Sequence, residues 1–195
     1  MTLRRYLKDN IRGYAEMVKE KLDEGWNGHL MTFMFNQLHG GLRQMNHQMQ
    51  KQVENVYASL ITRIHRKPNA SGVIHPILIG CPDFPVPKYE KKPLPDVVTN
   101  DGLHYNGLLL VPPGSSRLKV PVQQHFTDNQ SYYVREQVLN RIHVEPITHD
   151  VYGVTDYAFK GLKANRLPGN ETILILPKTG REISARPYRT DSQDE

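Results

Sequence analysis

Leu103-His104-Tyr105-Asn106-Gly107-Leu108-Leu109-Leu110-Val111 predicts a buried β-strand, because a short apolar run of this length is typical of one. Residues i and i+2 of a strand point to the same face, so we expect His104 and Asn106 to project together and Tyr105 to point the other way. An imidazole nitrogen and an amide oxygen on one face could hold Mg²⁺ or Mn²⁺ with a third oxygen ligand and water. Taken alone, the stretch favours a simpler interpretation, in which both side chains find hydrogen-bond partners.

Helical and extended patterns alternate on both sides of this strand. Their order predicts an α+β fold with a central antiparallel sheet flanked by helices. Helices are predicted at 3–22, 42–65, 132–142 and 155–165, the last capped by Thr155-Asp156, and further strands at 29–38, 73–80, 143–147 and 172–176. The proline-rich stretch 82–95 is predicted to be a loop, and the polar tail 186–195 to be frayed.

The composition is that of a globular chain with a moderate positive charge. A length of 195 residues suits one ordinary domain, and a net charge of +5 suits an anionic partner such as nucleic acid, although a mildly basic protein without such a partner is also compatible. No apolar run approaches the roughly 18 residues of a membrane span, and no apolar segment follows the basic N-terminus, so we expect neither a membrane partner nor a signal peptide. The single cysteine, Cys81, agrees with a reducing, cytoplasmic location.

The segment Asp156-Tyr157-Ala158-Phe159-Lys160-Gly161-Leu162-Lys163 carries the most informative pair of side chains. Tyr157 and Lys160 are three residues apart and would share one face of a helix. A cation there would favour a phenolate and hold a phosphate beside it. By itself the pair is common, and an amphipathic helix with a packed tyrosine and a solvated lysine explains it more simply.

Together with Leu30-Met31-Thr32-Phe33, these segments resemble the three motifs of rolling-circle replication initiators of the HUH endonuclease superfamily. Leu30-Met31-Thr32-Phe33 is similar to the family's apolar, threonine-containing motif. His104-Tyr105-Asn106 is similar to its metal-binding motif, and Tyr157 with Lys160 is similar to its nucleophile motif. The resemblance covers about residues 26–176 and implies the single-tyrosine class, because Gly161 stands where two-tyrosine members have a second tyrosine. It also implies an HUH-like (ferredoxin/RRM-like) sandwich at 26–180, which leaves a predicted N-terminal helix at 1–25 and a predicted polar tail at 181–195 outside the domain.

The resemblance implies that Tyr157 nicks single-stranded or hairpin DNA at an origin and remains attached through a 5′-phosphotyrosine link, while Lys160 orients the phosphate. Mg²⁺ or Mn²⁺ would bind His104, Asn106 and a third ligand, with Asp83 the first candidate and Glu90 and His75 weaker ones. Asn106 replaces the family's second histidine. The side chains expected to contact the DNA backbone are Arg63, Arg66, Lys67, Lys163, Lys88, Lys91 and Lys92.

Two other interpretations remain open. A protein that keeps the fold without the chemistry would bind single-stranded or hairpin DNA as a regulator, and Asn106 would then reflect lost metal binding. The second interpretation is an RNA-binding or structural α+β protein in which the motifs are coincidental. Few aromatic residues have the spacing that base stacking by an RNA-binding protein would need. The sequence contains no GxxxxGK[ST] motif, so an initiator would depend on a host helicase. The resemblance also implies a host polymerase as a partner.

Overall fold

A computed structural model describes residues 3–84, 103–114, 117–134, 138–163 and 172–178. The elements follow the order that the sequence predicts, except that two short helices that begin earlier stand in place of the helix predicted at 132–142, and the helix predicted at 155–165 is divided in two. They are α1 (Leu3–Asp23), β1 (Asn27–Phe35), α2 (Leu42–Ile64), β2 (Ile77–Asp83), β3 (His104–Val111), α3 (Val122–Asp128), α4 (Gln130–Tyr133), β4 (Leu139–Pro146), α5 (Val151–Ala158), α6 (Lys160–Lys163) and β5 (Leu174–Leu176).

The five strands form one antiparallel sheet in the order β4-β1-β3-β2-β5. Strand β3 lies in the middle, and its residues Leu108, Leu109 and Leu110 are completely buried. A strand buried on both faces loses the alternation of apolar and polar residues, which explains the continuous apolar run. The predicted α+β fold, a central antiparallel sheet flanked by helices, is confirmed.

The two faces of the sheet pack against different helices. On the first face, Met31, Phe33 and Tyr105 join the core formed with α2, α3 and α4. On the second face, Leu108 and Leu110 of β3 join a smaller core with α1, α5 and α6. Leu30 of β1 still packs against this core. Farther along the same face of β1 and β4 the cover is incomplete, since Thr32 and Met34 are half-buried and Arg141 and His143 are exposed.

Part of the predicted helix 132–142 is wrong, because residues 139–142 belong to β4. The buried residues Leu139, Ile142 and Val144 have mixed spacing, since the register between β1 and β4 shifts at Met34 and Phe35. An irregularity of this kind adds a residue to one strand and makes its pattern resemble that of a helix. Residues 135–137 lie outside the described residues.

The helix predicted to begin at Thr155 begins earlier. Its N-cap is Asp150, whose Oδ1 accepts a hydrogen bond of 3.0 Å from the backbone N–H of Gly153. The helix ends at Ala158, and Phe159 separates it from α6. Strand β2 likewise extends to Asp83 and includes Pro82. Proline is tolerated there because, among the described residues, β5 pairs with β2 only at residues 78–80, so Pro82 has no ladder partner on that side.

We expect Phe33→Ala to destabilise the protein by about 3–5 kcal/mol, because it leaves a cavity in the core under α2. The free energy of unfolding in urea, followed by circular dichroism, measures this change. Tyr152→Ala is the matched control, because that aromatic ring lies on the surface of α5 and is 48% exposed. Equal losses of stability in the two variants would contradict the assignment of Phe33 to the core.

Candidate active site

Two polar residues face each other where β2 ends and β3 begins. Asp83 is the last residue of β2, and it lies directly opposite His104, the first residue of β3. Side chains of directly opposed residues share a face of the sheet and stand about 5 Å apart at Cβ. His104 and Asn106 lie on the second face, whereas Tyr105 is buried in the core of the first face, where its hydroxyl donates to the carbonyl of Gly80 at 2.9 Å. The alternation predicted from the sequence is confirmed.

Tyr157 and Lys160 meet across the break between α5 and α6. The ammonium nitrogen of Lys160 lies 4.4 Å from the centre of the Tyr157 ring. The same Nζ is 2.9 Å from Oδ2 of Asp83. Tyr157 itself is 48% exposed. The two side chains are therefore neighbours, as expected, but they lie on two short helices instead of one face of a continuous helix.

The contacts between α6 and β2 hold Lys160 at this position. A Cβ atom at Gly161 would overlap the carbonyl oxygen of Pro82, so the backbones of α6 and β2 touch at this point. Beside it, the thiol of Cys81 donates to the carbonyl oxygen of Ala158 at 3.4 Å. Cys81 is buried, as expected for a small core residue, and burial raises the pKa of its thiol to about 12. These contacts fix both helices against the strand that carries Asp83.

Asn106 is buried and only partly satisfied. Its Oδ1 accepts a hydrogen bond from the Thr32 hydroxyl at 3.2 Å, while its Nδ2 is enclosed without a hydrogen-bond partner among the described residues. The two amide atoms can exchange places by a half-turn of the side chain, and the hydrogen-bond network decides between the two orientations. In the exchanged orientation, Nδ2 donates to Thr32, and the amide oxygen becomes the enclosed atom with a free lone pair.

The charges at the site act on one another. Burial lowers the pKa of His104, with the neighbouring Lys160 acting in the same direction and Asp83 opposing it. Burial also lowers the pKa of Lys160, but the hydrogen bond and the charge of Asp83, together with Tyr157, outweigh it and leave that pKa raised. The site at neutral pH therefore contains a neutral imidazole beside a paired ammonium and carboxylate.

The remaining predicted site residues lie elsewhere. Arg63, Arg66 and Lys67 are at the end of α2, which packs on the opposite face of the sheet. His75 precedes β2 and packs its ring against His65, 5.5 Å away, at the end of β2 far from Asp83. Lys163 lies on α6 and pairs with Asp156. The residues that lie outside the described residues are Glu90, Lys88, Lys91 and Lys92.

Sequence reasoning missed the roles of Thr32 and Gly161. Thr32 lies opposite Asn106 on the neighbouring strand β1, and its hydroxyl is the donor that orients the amide. The alternation along β1, where Met31 and Phe33 face the core, contained the signal, since it places Thr32 on the second face. Nothing local in the sequence indicates that Gly161 touches Pro82.

The described residues include no group of three or more His, Cys, Asp or Glu side chains arranged to hold a metal ion. A metal site here would therefore require the Asn106 amide beside His104 and Asp83. No helix among these residues is long and apolar enough to cross a bilayer. Comparisons with family models, curated proteins and solved structures found no match for the chain.

We expect Gly161→Ala to destabilise the protein by about 1–3 kcal/mol, because the added methyl group collides with the backbone of β2. Gly13→Ala is the matched control. It lies in α1 with nothing within 4 Å of the added Cβ, and alanine there should stabilise the helix by about 0.5–1 kcal/mol. Urea unfolding measures both values. A neutral or stabilising effect of Gly161→Ala would contradict the close contact between α6 and β2.

We expect His104 to titrate below the ordinary histidine pKa of 6.5, because burial and Lys160 disfavour its charged form. The unfolded chain then binds this proton more readily than the folded chain. The stability that depends on His104 is therefore complete above pH 6.5 and falls as the pH drops from 6.5 to the folded pKa. The ring resonance of His104 in an NMR titration, assigned with His104→Gln, measures the midpoint, and a midpoint above 6.5 would contradict the prediction.

Proposed function

We propose that the protein nicks single-stranded DNA with Tyr157 as the nucleophile and keeps the 5′ end as a phosphotyrosine. The observation that supports this proposal is the convergence of Tyr157, Lys160, Asp83 and His104, which come from β2, β3 and the α5–α6 segment. An exposed phenol beside a lysine, a carboxylate and a neutral imidazole is a set of groups suited to phosphoryl transfer, which depends on positioning and charge neutralisation.

In the proposed step, the phenolate oxygen of Tyr157 attacks the phosphorus atom in line with the bond to the 3′ oxygen. The new bond joins Tyr157 to the 5′ phosphate as the bond to the 3′ oxygen breaks. The phenol has lost one proton and the leaving 3′ oxygen gains one, so the product is a free 3′-hydroxyl. The phosphodiester is exchanged for a phosphate ester of similar energy, and the reverse reaction can therefore rejoin the strand.

Lys160 has two roles in this proposal. Its ammonium lies 4.4 Å from the centre of the Tyr157 ring, which places a positive charge beside the attacking side chain. It can also donate to an oxygen of the bound phosphate, because an ammonium has three donors and Asp83 takes up one of them at 2.9 Å. Asp83 acts as a positioning residue that holds this ammonium above the strand ends.

The residues present fit a hard divalent cation. His104, Asp83 and the Asn106 amide offer one nitrogen and two kinds of oxygen donor, and the enclosed amide atom of Asn106 has no protein partner among the described residues. We propose that these three residues hold Mg²⁺ or Mn²⁺. When bound, such an ion supplies charge neutralisation to the scissile phosphate. Thr32 would keep the amide oxygen directed toward it by accepting a hydrogen bond from Nδ2.

A regulator that binds single-stranded or hairpin DNA without cutting it is the second candidate. It is favoured by the ion pair between Asp83 and Lys160, which takes up the carboxylate that a metal would need. In either case we propose DNA as the partner. For the nickase we also propose a host helicase and a host polymerase as partners.

We expect the protein with Mn²⁺ to form a covalent adduct with labelled single-stranded oligonucleotides, and Tyr157→Phe to abolish it because the attacking oxygen is missing. The adduct appears as a labelled band in a denaturing gel. Tyr152→Phe is the matched control, since both tyrosines lie on α5 and are 48% exposed. Because the origin sequence is unknown, a pool of randomised oligonucleotides serves as substrate.

The same assay separates the two candidates. An adduct that requires both Tyr157 and the metal supports the nickase. Tight binding of the pool by the wild-type protein without any adduct would overturn it in favour of the regulator. We expect Lys160→Gln to reduce the rate of adduct formation by about 10²–10³, the range found when one charge-stabilising donor is removed. An unchanged rate would exclude the role proposed for Lys160.

A further inference from the structure

Several cations of the described residues form an ion pair with an acidic side chain on the same helix or next to its end. On α1, Arg12 pairs with Glu16 and Lys19 with Asp23, each within one turn of the helix. At the end of α2 the situation is different, because Arg63, Arg66 and Lys67 are exposed and form no ion pair with a carboxylate among the described residues. Three exposed cations without a carboxylate partner among the described residues thus lie together at this end of α2.

The segment that follows β3 adds further cations to this end. The backbone N–H of Arg117 donates to the carbonyl of Ile64, the last residue of α2, at 3.0 Å. Arg117 and Lys119 are exposed, and among the described residues neither pairs with a carboxylate. Asp128 on the neighbouring helix α3 accepts a hydrogen bond from Gln124 instead. Five cations therefore surround the end of α2: Arg63, Arg66, Lys67, Arg117 and Lys119.

An aromatic ring lies against this group of cations. The guanidinium carbon of Arg63 is 4.0 Å from the centre of the Tyr132 ring, and Tyr132 is 42% exposed. The arginine covers part of the ring, while the exposed part can receive a flat ligand. Nucleobases stack on tyrosine rings of this kind, and a neighbouring arginine strengthens the stacking.

We propose that this surface, the α2-end surface (Arg63, Arg66, Lys67, Arg117, Lys119 and Tyr132), binds single-stranded nucleic acid. The five cations contact successive phosphates, and an unpaired base stacks on Tyr132. An acidic peptide would satisfy the cations but would offer no flat partner to the ring, and in a duplex the base faces are covered by neighbouring pairs. The surface is on the opposite side of the sheet from Tyr157, so the proposal goes beyond the nicking reaction and does not depend on it.

The first test concerns the phosphate contacts and uses the full-length protein. Fluorescence anisotropy measures binding of labelled oligothymidylate and oligouridylate at several salt concentrations, and the tighter of the two identifies DNA or RNA as the ligand. We expect Arg66→Gln/Lys67→Gln to reduce the slope of log K against log salt by about 1.4, which is roughly 0.7 for each lost phosphate contact. Arg12→Gln/Lys19→Gln removes the same two residue types from α1, where both are already paired, and should leave the slope unchanged.

The second test concerns the aromatic ring. We expect Tyr132→Ala to weaken binding of the single strand about tenfold, because one stacked base is lost, and to leave binding of a duplex unchanged. Tyr6→Ala is the control, since Tyr6 is similarly exposed, at 45%, on α1. Circular dichroism verifies that every variant is folded. The proposal is overturned if the two double variants change the salt slope equally, or if Tyr132→Ala weakens binding no more than Tyr6→Ala.

Discussion

The contact between Lys160 and Asp83 joins the two parts of the candidate site, because it connects the helical segment of Tyr157 to the strand ends that carry His104. Lys160 is 39% exposed and Asp83 is 16% exposed, so water screens the pair. Pairs of this kind contribute about 0–1 kcal/mol, which is too little to hold two short helices in place. The packing of Gly161 against Pro82 and of Cys81 against Ala158 must therefore fix the geometry, and the ion pair then orients the ammonium within it.

The parts of this arrangement that depend on local sequence were predictable. Predicting which side chains of β3 share a face required only that residues 103–111 form a strand. The register of this strand is also fixed, because a slip by one residue would move Leu108 and Leu110 out of their core. Tyr157 and Lys160 were correctly expected to be neighbours, but for an incomplete reason. Spacing of three residues on a continuous helix suggested the contact, whereas the helix actually breaks at Phe159, and docking on β2 keeps the two side chains together.

The parts that depend on distant contacts were not predictable in the same way. Asp83 was a plausible ligand only by its position near a strand end, and its register opposite His104 is set by the pairing of two strands separated by residues 84–103. Thr32 was assigned to the core strand, and its contact with Asn106 joins residues 74 positions apart. The register shift in β4 gave its apolar residues a helical spacing, which is why the helix predicted at 132–142 was wrong there.

The distribution of charge changes how the net charge of the chain should be interpreted. A surplus of +5 suggested a nucleic-acid partner, and Arg63, Arg66 and Lys67 were among the side chains expected to contact the DNA backbone. The candidate site instead holds a balanced pair, in which Asp83 offsets Lys160, while Arg63, Arg66 and Lys67 lie at the end of α2 on the other face. If the proposed nicking reaction takes place, the rejoined strand must be released, so a strongly cationic site would oppose turnover. The proposed nicking site and the proposed nucleic-acid surface would then lie apart, so that each could be optimised without weakening the other.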